Sequence, residues 1–127
     1  MLTSQEFLHH WIEQVNAGAV DALCALYDEH ALLIPTFSNH LLSTAPDIRR
    51  YFEQLSARPG LALTLHDKTV RVQPFVAQSY AISGIYCWRF QVDDEPLAFE
   101  ARFTYLADLG AARPILHHHS SQIPRSL

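Results

Sequence analysis

The sequence predicts an α+β fold, with N-terminal helices packed into a curved antiparallel sheet. Three observations predict it. Apolar residues recur at helical spacing only before Leu61. Beyond that point they alternate in long runs separated by turn residues, as strands do. Hydrophobic residues make up 49% of the 127, enough for one core, so residues 1–127 read as a single domain. Helices followed by strands is the α+β order. A strongly curved sheet wrapped around helices leaves a cavity between the two layers, where small ligands bind by default.

The elements follow in order. Thr3-Ser4-Gln5-Glu6 is a capping-box pattern, a hydroxyl with a carboxylate three positions on. Behind it Phe7, Leu8, Trp11, Ile12 and Val15 form a helical stripe that Asn16-Ala17-Gly18 ends. A short second helix carries Val20, Leu23, Cys24, Leu26 and Tyr27 on one face, and Ala31 to Pro35 reads as a brief strand. Pro35-Thr36-Phe37-Ser38-Asn39 turns the chain. Thr44-Ala45-Pro46-Asp47 starts a third helix, with a hydroxyl cap, an early proline and an acid in the first turn. Its buried stripe is Ile48, Tyr51, Phe52 and Leu55, and Arg58-Pro59-Gly60 stops it. Leu61–Val72, Phe75–Phe90, Leu97–Ala107 and Arg113–Gln122 read as strands. Gln73-Pro74, Val92 to Pro96 and Asp108 to Ala111 connect them in hairpin fashion.

Composition narrows the function classes. Charged residues are only 17% of the chain, and the formal charge is -4 with the eight His neutral. Low charge on an apolar chain predicts a surface buried against another copy, so the expected partner is the chain itself, as a homodimer or a larger homo-oligomer. The acidic balance argues against nucleic acid, whose backbone needs a basic patch. No run approaches the roughly 18 apolar residues of a membrane span. The start, Met1 to Glu6, has neither a basic stretch nor an apolar signal core, which predicts a cytoplasmic location. Cys24 and Cys87 form no CxxC pattern and read as reduced core thiols.

The densest chemistry lies in His117-His118-His119-Ser120-Ser121. Strand side chains alternate between faces. His117, His119 and Ser121 are therefore expected on one face, and His118 and Ser120 on the other. Imidazoles two apart can ligate zinc, but a catalytic site needs a third protein ligand and none is evident, so no metal or cofactor is expected. His118 reads as an outward residue at a subunit contact. Thr36 and Ser38, at the end of the short first strand, can donate to an anion or bond locally within the turn. Arg102 sits mid-strand, opposite in facing to Ala101, Phe103 and Tyr105. It either pairs with a carboxylate such as Glu100 or Glu53, or faces a pocket that needs positive charge. Tyr51 and Tyr86 read as core residues whose hydroxyls can reach a pocket, and Trp88 as core. No P-loop, dinucleotide fingerprint, nucleophile elbow or HExxH is present.

Together these pieces resemble the NTF2-like, SnoaL-like cone fold. Within it the chain is similar to the branch containing the association domain of calcium/calmodulin-dependent protein kinase II. Trp11 with Asn16 and Gly18, Leu26-Tyr27, Leu33 to Asn39, Ile48 with Tyr51-Phe52, Gly84-Ile85-Tyr86, Ala101 to Tyr105 and His117 to Pro124 carry the resemblance. The Pro-Thr-x-Ser turn and the His-His-His-Ser-Ser strand also resemble the iota-class carbonic anhydrases, some of which work without a metal. This resemblance implies a small anionic ligand, bicarbonate-like or carboxylate-like, held by the hydroxyls of Thr36, Tyr51 and Ser121, with Tyr86 as the alternative to Tyr51. It places His119 nearby as the natural proton acceptor, since imidazole titrates near neutral pH; Ser38, Arg102 and His117 are further ligand-binding candidates by residue type and facing alone. Three functions are thus open: anion binding with carbon dioxide hydration without metal, non-catalytic assembly and ligand binding, or isomerase or hydrolase action on a larger apolar molecule, for which Glu100 is the possible carboxylate. The chain departs from the family pattern at Ile123, where Met is usual, at Ala112-Arg113-Pro114, which lacks the usual Trp, and at Leu41-Leu42-Ser43, which lacks an Arg.

Overall fold

Thr3 caps the first helix, α1 (Ser4–Asn16), in both directions. Its hydroxyl accepts from the Glu6 N–H at 3.1 Å, and its own N–H donates to Glu6 Oε1 at 2.9 Å. These bonds satisfy N–H groups that a helix start otherwise leaves unpaired. Phe7, Leu8, Trp11, Ile12 and Val15 are its buried face. Gly18, at φ 64°, turns the chain into α2 (Val20–Cys24). The helix α3 (Ala45–Ser56) starts at Thr44, whose hydroxyl accepts from the Asp47 N–H at 3.3 Å, and buries Ile48, Phe52 and Leu55. The computed structural model describes residues 2–126.

Six strands follow and interleave with these helices: β1 (Tyr27–Ile34), β2 (Ala62–Leu65), β3 (Arg71–Pro74), β4 (Ser79–Val92), β5 (Glu95–Asp108) and β6 (Ile115–Gln122). The sheet order is β1-β6-β5-β4-β2, with β3 also pairing β4. All pairs are antiparallel except β1 with β6. On β5 the inward residues are Ala101, Phe103, Tyr105 and Ala107, and those between them are exposed. This inner face and the stripes of α1 and α3 enclose one aromatic-rich core. Asn16 ties α1 to β2 by accepting from the Leu63 N–H at 2.7 Å and donating to the Leu63 carbonyl at 3.0 Å.

Three sequence expectations change. Tyr27 does not end the second helix but opens β1, because parallel pairing with β6 competes for it. Tyr27 registers with Ile115, and Arg113 donates to the carbonyls of Cys24 and Tyr27. The expected strand Leu61–Val72 is broken by a 3₁₀ turn at Asp67–Thr69, so β2 and β3 pair with different halves of β4. The break faces Gly84, where an added Cβ would lie 3.0 Å from Phe103 Cζ and 3.2 Å from Thr69 Oγ1. The start of the expected strand from Phe75 is a loop, and the strand extends instead to Val92. There a two-residue turn at Asp93-Asp94 (φ 52° and 63°) matches the sheet's twist. No helix of the described residues is long and apolar enough to cross a membrane.

Candidate functional site in the cone

The strand β6 carries the correction that matters most for function. His118 and Ser120 are buried, at 2% and 3% exposure, whereas His119 is exposed and His117 and Ser121 are half-buried. The faces sort as alternation requires, but the cone is on the side opposite to the expectation. The cause is a bulge. On β5, Leu106 and Ala107 are consecutive, yet their partners on β6 are His117 and Ile115, leaving Leu116 as an extra residue. One inserted residue exchanges the faces of everything beyond it. Ile115 points inward with Ala107, and after the bulge His118 points inward beside Tyr105.

His118 therefore sits in the core rather than at an outward contact. Its ring stacks on Tyr105 (centroids 4.0 Å, 16° between planes) and meets the Trp11 ring edge-on at 5.2 Å. The Trp11 indole N–H donates to the Tyr27 hydroxyl at 3.2 Å. That hydroxyl lies 2.9 Å from His118 Nδ1; since it accepts from Trp11, its own proton goes to the imidazole. Nδ1 is then the acceptor, so Nε2 carries the hydrogen and donates to the Tyr86 hydroxyl at 3.3 Å. Tyr86 in turn faces the hydroxyls of Ser120 and Thr36, which bond to each other. Burial pushes the His118 imidazole down to about 3, with His117 and His119 adding to the effect. Burial also raises the phenols of Tyr27, Tyr51, Tyr86 and Tyr105. The bonded chain Trp11–Tyr27–His118–Tyr86 is neutral, and the Thr36–Ser120 pair lies beside its Tyr86 end.

At that end lies a small cavity lined by Thr36, Tyr51, Tyr86, Trp88, His118 and Ser120, among others. It leaves ≈ 10 Å³ for the centre of an occupant, room for one water or one ligand oxygen. The Trp88 indole N–H is buried and has no acceptor among the described residues. One bond joins the two hydroxyls of Thr36 and Ser120, so one of these hydroxyls and the Trp88 N–H are the donors left for an occupant. Beyond Tyr51, which lines both spaces, opens a mouth of ≈ 450 Å³ walled by Phe37, Leu41, Leu42 and Phe90. Ser38, Arg50 and Arg58 supply its polar groups with Asp47 and His40. Arg50 pairs with Asp47 at 3.2 Å, and Arg58 lies 5.4 Å over the Phe90 ring.

The structure thus gathers Thr36, Tyr51 and Tyr86 at the inner cavity and places Ser38 at its mouth. It separates them from His117, His119, Ser121 and Arg102, which lie on the outer face of the sheet, so the expected roles of these four in a pocket are corrected. Arg102 is exposed and joins neither Glu100 nor Glu53 in an ion pair; Glu100 is taken by His66 Nε2 at 2.9 Å. Sequence reasoning missed Trp11, Tyr27, His118, Ser120, Arg50 and Arg58. Ser120 carries no signal of its own in the sequence, since its bond to Thr36 exists only once β1 has paired with β6. Among the described residues no three or more His, Cys, Asp or Glu side chains gather into a metal-binding group.

Comparison with known proteins agrees with this architecture. A putative calcium/calmodulin-dependent protein kinase II association domain from Xanthomonas campestris superposes with a TM-score of 0.83 at 21% identity, over 94% of this chain and 85% of that one. An uncharacterised protein with a cystatin-like fold from Caulobacter vibrioides gives 0.77 at 12% identity, over 94% and 87%. No curated protein matches the sequence. The family profile described as the calcium/calmodulin dependent protein kinase II association domain matches residues 4–124. With a cone of helices inside a six-stranded sheet and a family match over nearly its whole length, the chain belongs to the calcium/calmodulin-dependent protein kinase II association-domain family, within the NTF2-like fold.

Proposed function

We propose that the chain is a self-associating binding module whose cone holds a small carboxylate-like or bicarbonate-like ligand by one of its oxygens. The observation that carries this reading is the pair of donors left over where the internal hydrogen-bond chain ends. Thr36, Ser120 and Trp88 line a space one oxygen wide, and the Trp88 N–H has no acceptor among the described residues. A buried donor without an acceptor costs about 1–3 kcal/mol, and an oxygen with two lone pairs relieves it. The rest of such a ligand extends past Tyr51 into the mouth, where Arg58 and Arg50 offset its charge. Self-association rests on the family's description as an association domain, on the low charge of the chain, and on an outer sheet face that no α-helix of the described residues covers. That face presents Leu32, Ile34, Ile85 and Leu106 among polar residues, and is the interface proposed here.

Calorimetry with acetate and with bicarbonate tests the pocket. Thr36→Val and Ser120→Ala are each expected to weaken binding at least tenfold, the loss of about 1.4 kcal/mol that one charge-assisted hydrogen bond supplies. Unchanged affinity in both variants removes the site. Light scattering tests the assembly, and a monomer at micromolar concentration removes that half of the reading.

A second reading, metal-free carbon dioxide hydration at the same hydroxyls, is favoured by the water-sized space among them. On this reading Ser120 takes the role first given to Ser121. His118, at about 3, is a weak base at neutral pH, so pre-placed donors would have to stabilise the attacking hydroxide. Stopped-flow hydration rates equal to buffer alone, with and without chelator, eliminate this reading.

A further inference from the structure

We propose that assembly through the outer sheet face is switched off by protonation of His117 and His119; this inference rests on the self-association reading above. The outer face carries charges of both signs. Arg102 on β5, Arg89 on β4 and Arg71 on β3 lie on it, with Glu100, which His66 engages at 2.9 Å, and Asp108 at the end of β5. In a two-fold interface each patch meets its own copy. Glu100 and Arg102, two residues apart on β5, are self-complementary in such an arrangement, since the acid of one copy can face the base of the other.

Among the described residues neither His117 nor His119 has a carboxylate partner. His117 lies between Leu32 of β1 and Leu106 of β5. His119 lies between Ile34 and Thr104, with Arg102 as its diagonal neighbour opposite Ser121. Towards the end of β5 the nearest acid is Asp108, whose Oδ1 accepts from the Gly110 N–H. At the β1 edge His30 is taken by Glu29 at 3.3 Å. Neutral imidazoles add polar surface to the face without charge. Imidazole is the side chain whose charge changes between about pH 5 and 8. Once protonated, His117 and His119 of both copies would place four like charges beside two Arg102 guanidinium groups, in a seam from which water is excluded. Like charges in such a seam oppose association.

Sedimentation velocity on the full chain at about pH 8 and about pH 5.5 provides the test, with a His117→Gln/His119→Gln double variant alongside. The dissociation constant is expected to weaken about tenfold or more at the lower pH, because dissociation is then linked to proton uptake. The double variant is expected to associate equally at both. Near-UV circular dichroism at each pH separates dissociation from loss of tertiary structure. Equal association of the parent at both pH values overturns the switch and leaves self-association standing. A pH shift retained in the double variant also overturns it, as does loss of the near-UV signal together with dissociation. A chain that is monomeric at both pH values overturns the self-association reading and the switch with it.

Discussion

The two faces of β6 carry nearly the same residue types, and they do different chemistry. Inside the cone, His118 belongs to a neutral hydrogen-bond chain from Trp11 through Tyr27 to Tyr86, and Ser120 bonds Thr36 beside it. Outside, His117, His119 and Ser121 meet water or a second copy. The inner histidine has both ring nitrogens within bonding distance of hydroxyls and is pushed down to about 3; the outer ones lie on the open face of the sheet. The difference teaches that the side a residue faces decides its chemistry here, and one bulged residue at Leu116 sets that side.

The largest expected effect breaks the inner face. His118→Ala removes a packed ring and leaves the Tyr27 and Tyr86 hydroxyls without partners. A cavity and two buried unsatisfied groups together cost about 3–5 kcal/mol, a large share of the stability of a small domain. Urea unfolding measures it, and a loss under about 1 kcal/mol would show that the chain of bonds contributes little.

Acid should act on the same residue. The folded imidazole is held at about 3, against 6.5 when unhindered. Between those values the unfolded chain binds a proton that the folded chain refuses. The stabilisation is therefore complete above 6.5 and is lost as pH falls from there towards 3, at up to about 1.4 kcal/mol per pH unit. Stability followed by urea unfolding from about pH 7.5 to 4.5 should decline with this slope added to the carboxylate contribution. The His118 ring resonances should stay unshifted for as long as the protein is folded.

Much of this architecture is legible before any coordinates. The Thr3–Glu6 capping box, the Trp11 stripe, the Thr44 cap and the strict alternation of β5 all follow from local rules and appear as read. The failures share one physical cause, pairing between distant segments. Tyr27 was assigned to a helix because its partners, Ile115 and Arg113, lie far along the chain. The facing of the histidine tract was misread because a bulge is defined by two strands at once, and Leu116 looks ordinary in one. Thr36, Tyr51 and Tyr86 could be named as candidates by residue type. Their true companions, Trp88 and Ser120, could not, since an orphaned indole N–H exists only once the core has closed around it.

A smaller effect tests the backbone side of that core. Gly84→Ala places a methyl 3.0 Å from Phe103 Cζ, a ring stacked on Tyr86 at 4.5 Å. The ring can shift only by disturbing Tyr86, so a loss of about 1–2 kcal/mol is expected from overpacking. A stabilised Gly84→Ala protein would show that the stack has room to yield.

The smallest expected effect sharpens the comparison most. Ser121→Ala is the same chemical change as Ser120→Ala, one position along. Ser121 lies on the outer face opposite Arg102, away from the residues that line the cavity. Its loss should alter monomer stability by less than about 0.5 kcal/mol, the usual range for a surface substitution, and leave acetate affinity unchanged. Ser120→Ala deletes the hydroxyl that bonds Thr36 and should cost about 1–2 kcal/mol as well as binding. Alternation puts the two serines on opposite faces, and the bulge decides which of them is inside. If Ser121→Ala proved the damaging member of the pair, the strand would be facing the other way, and the inner hydrogen-bond chain would have to be rebuilt around His117, His119 and Ser121.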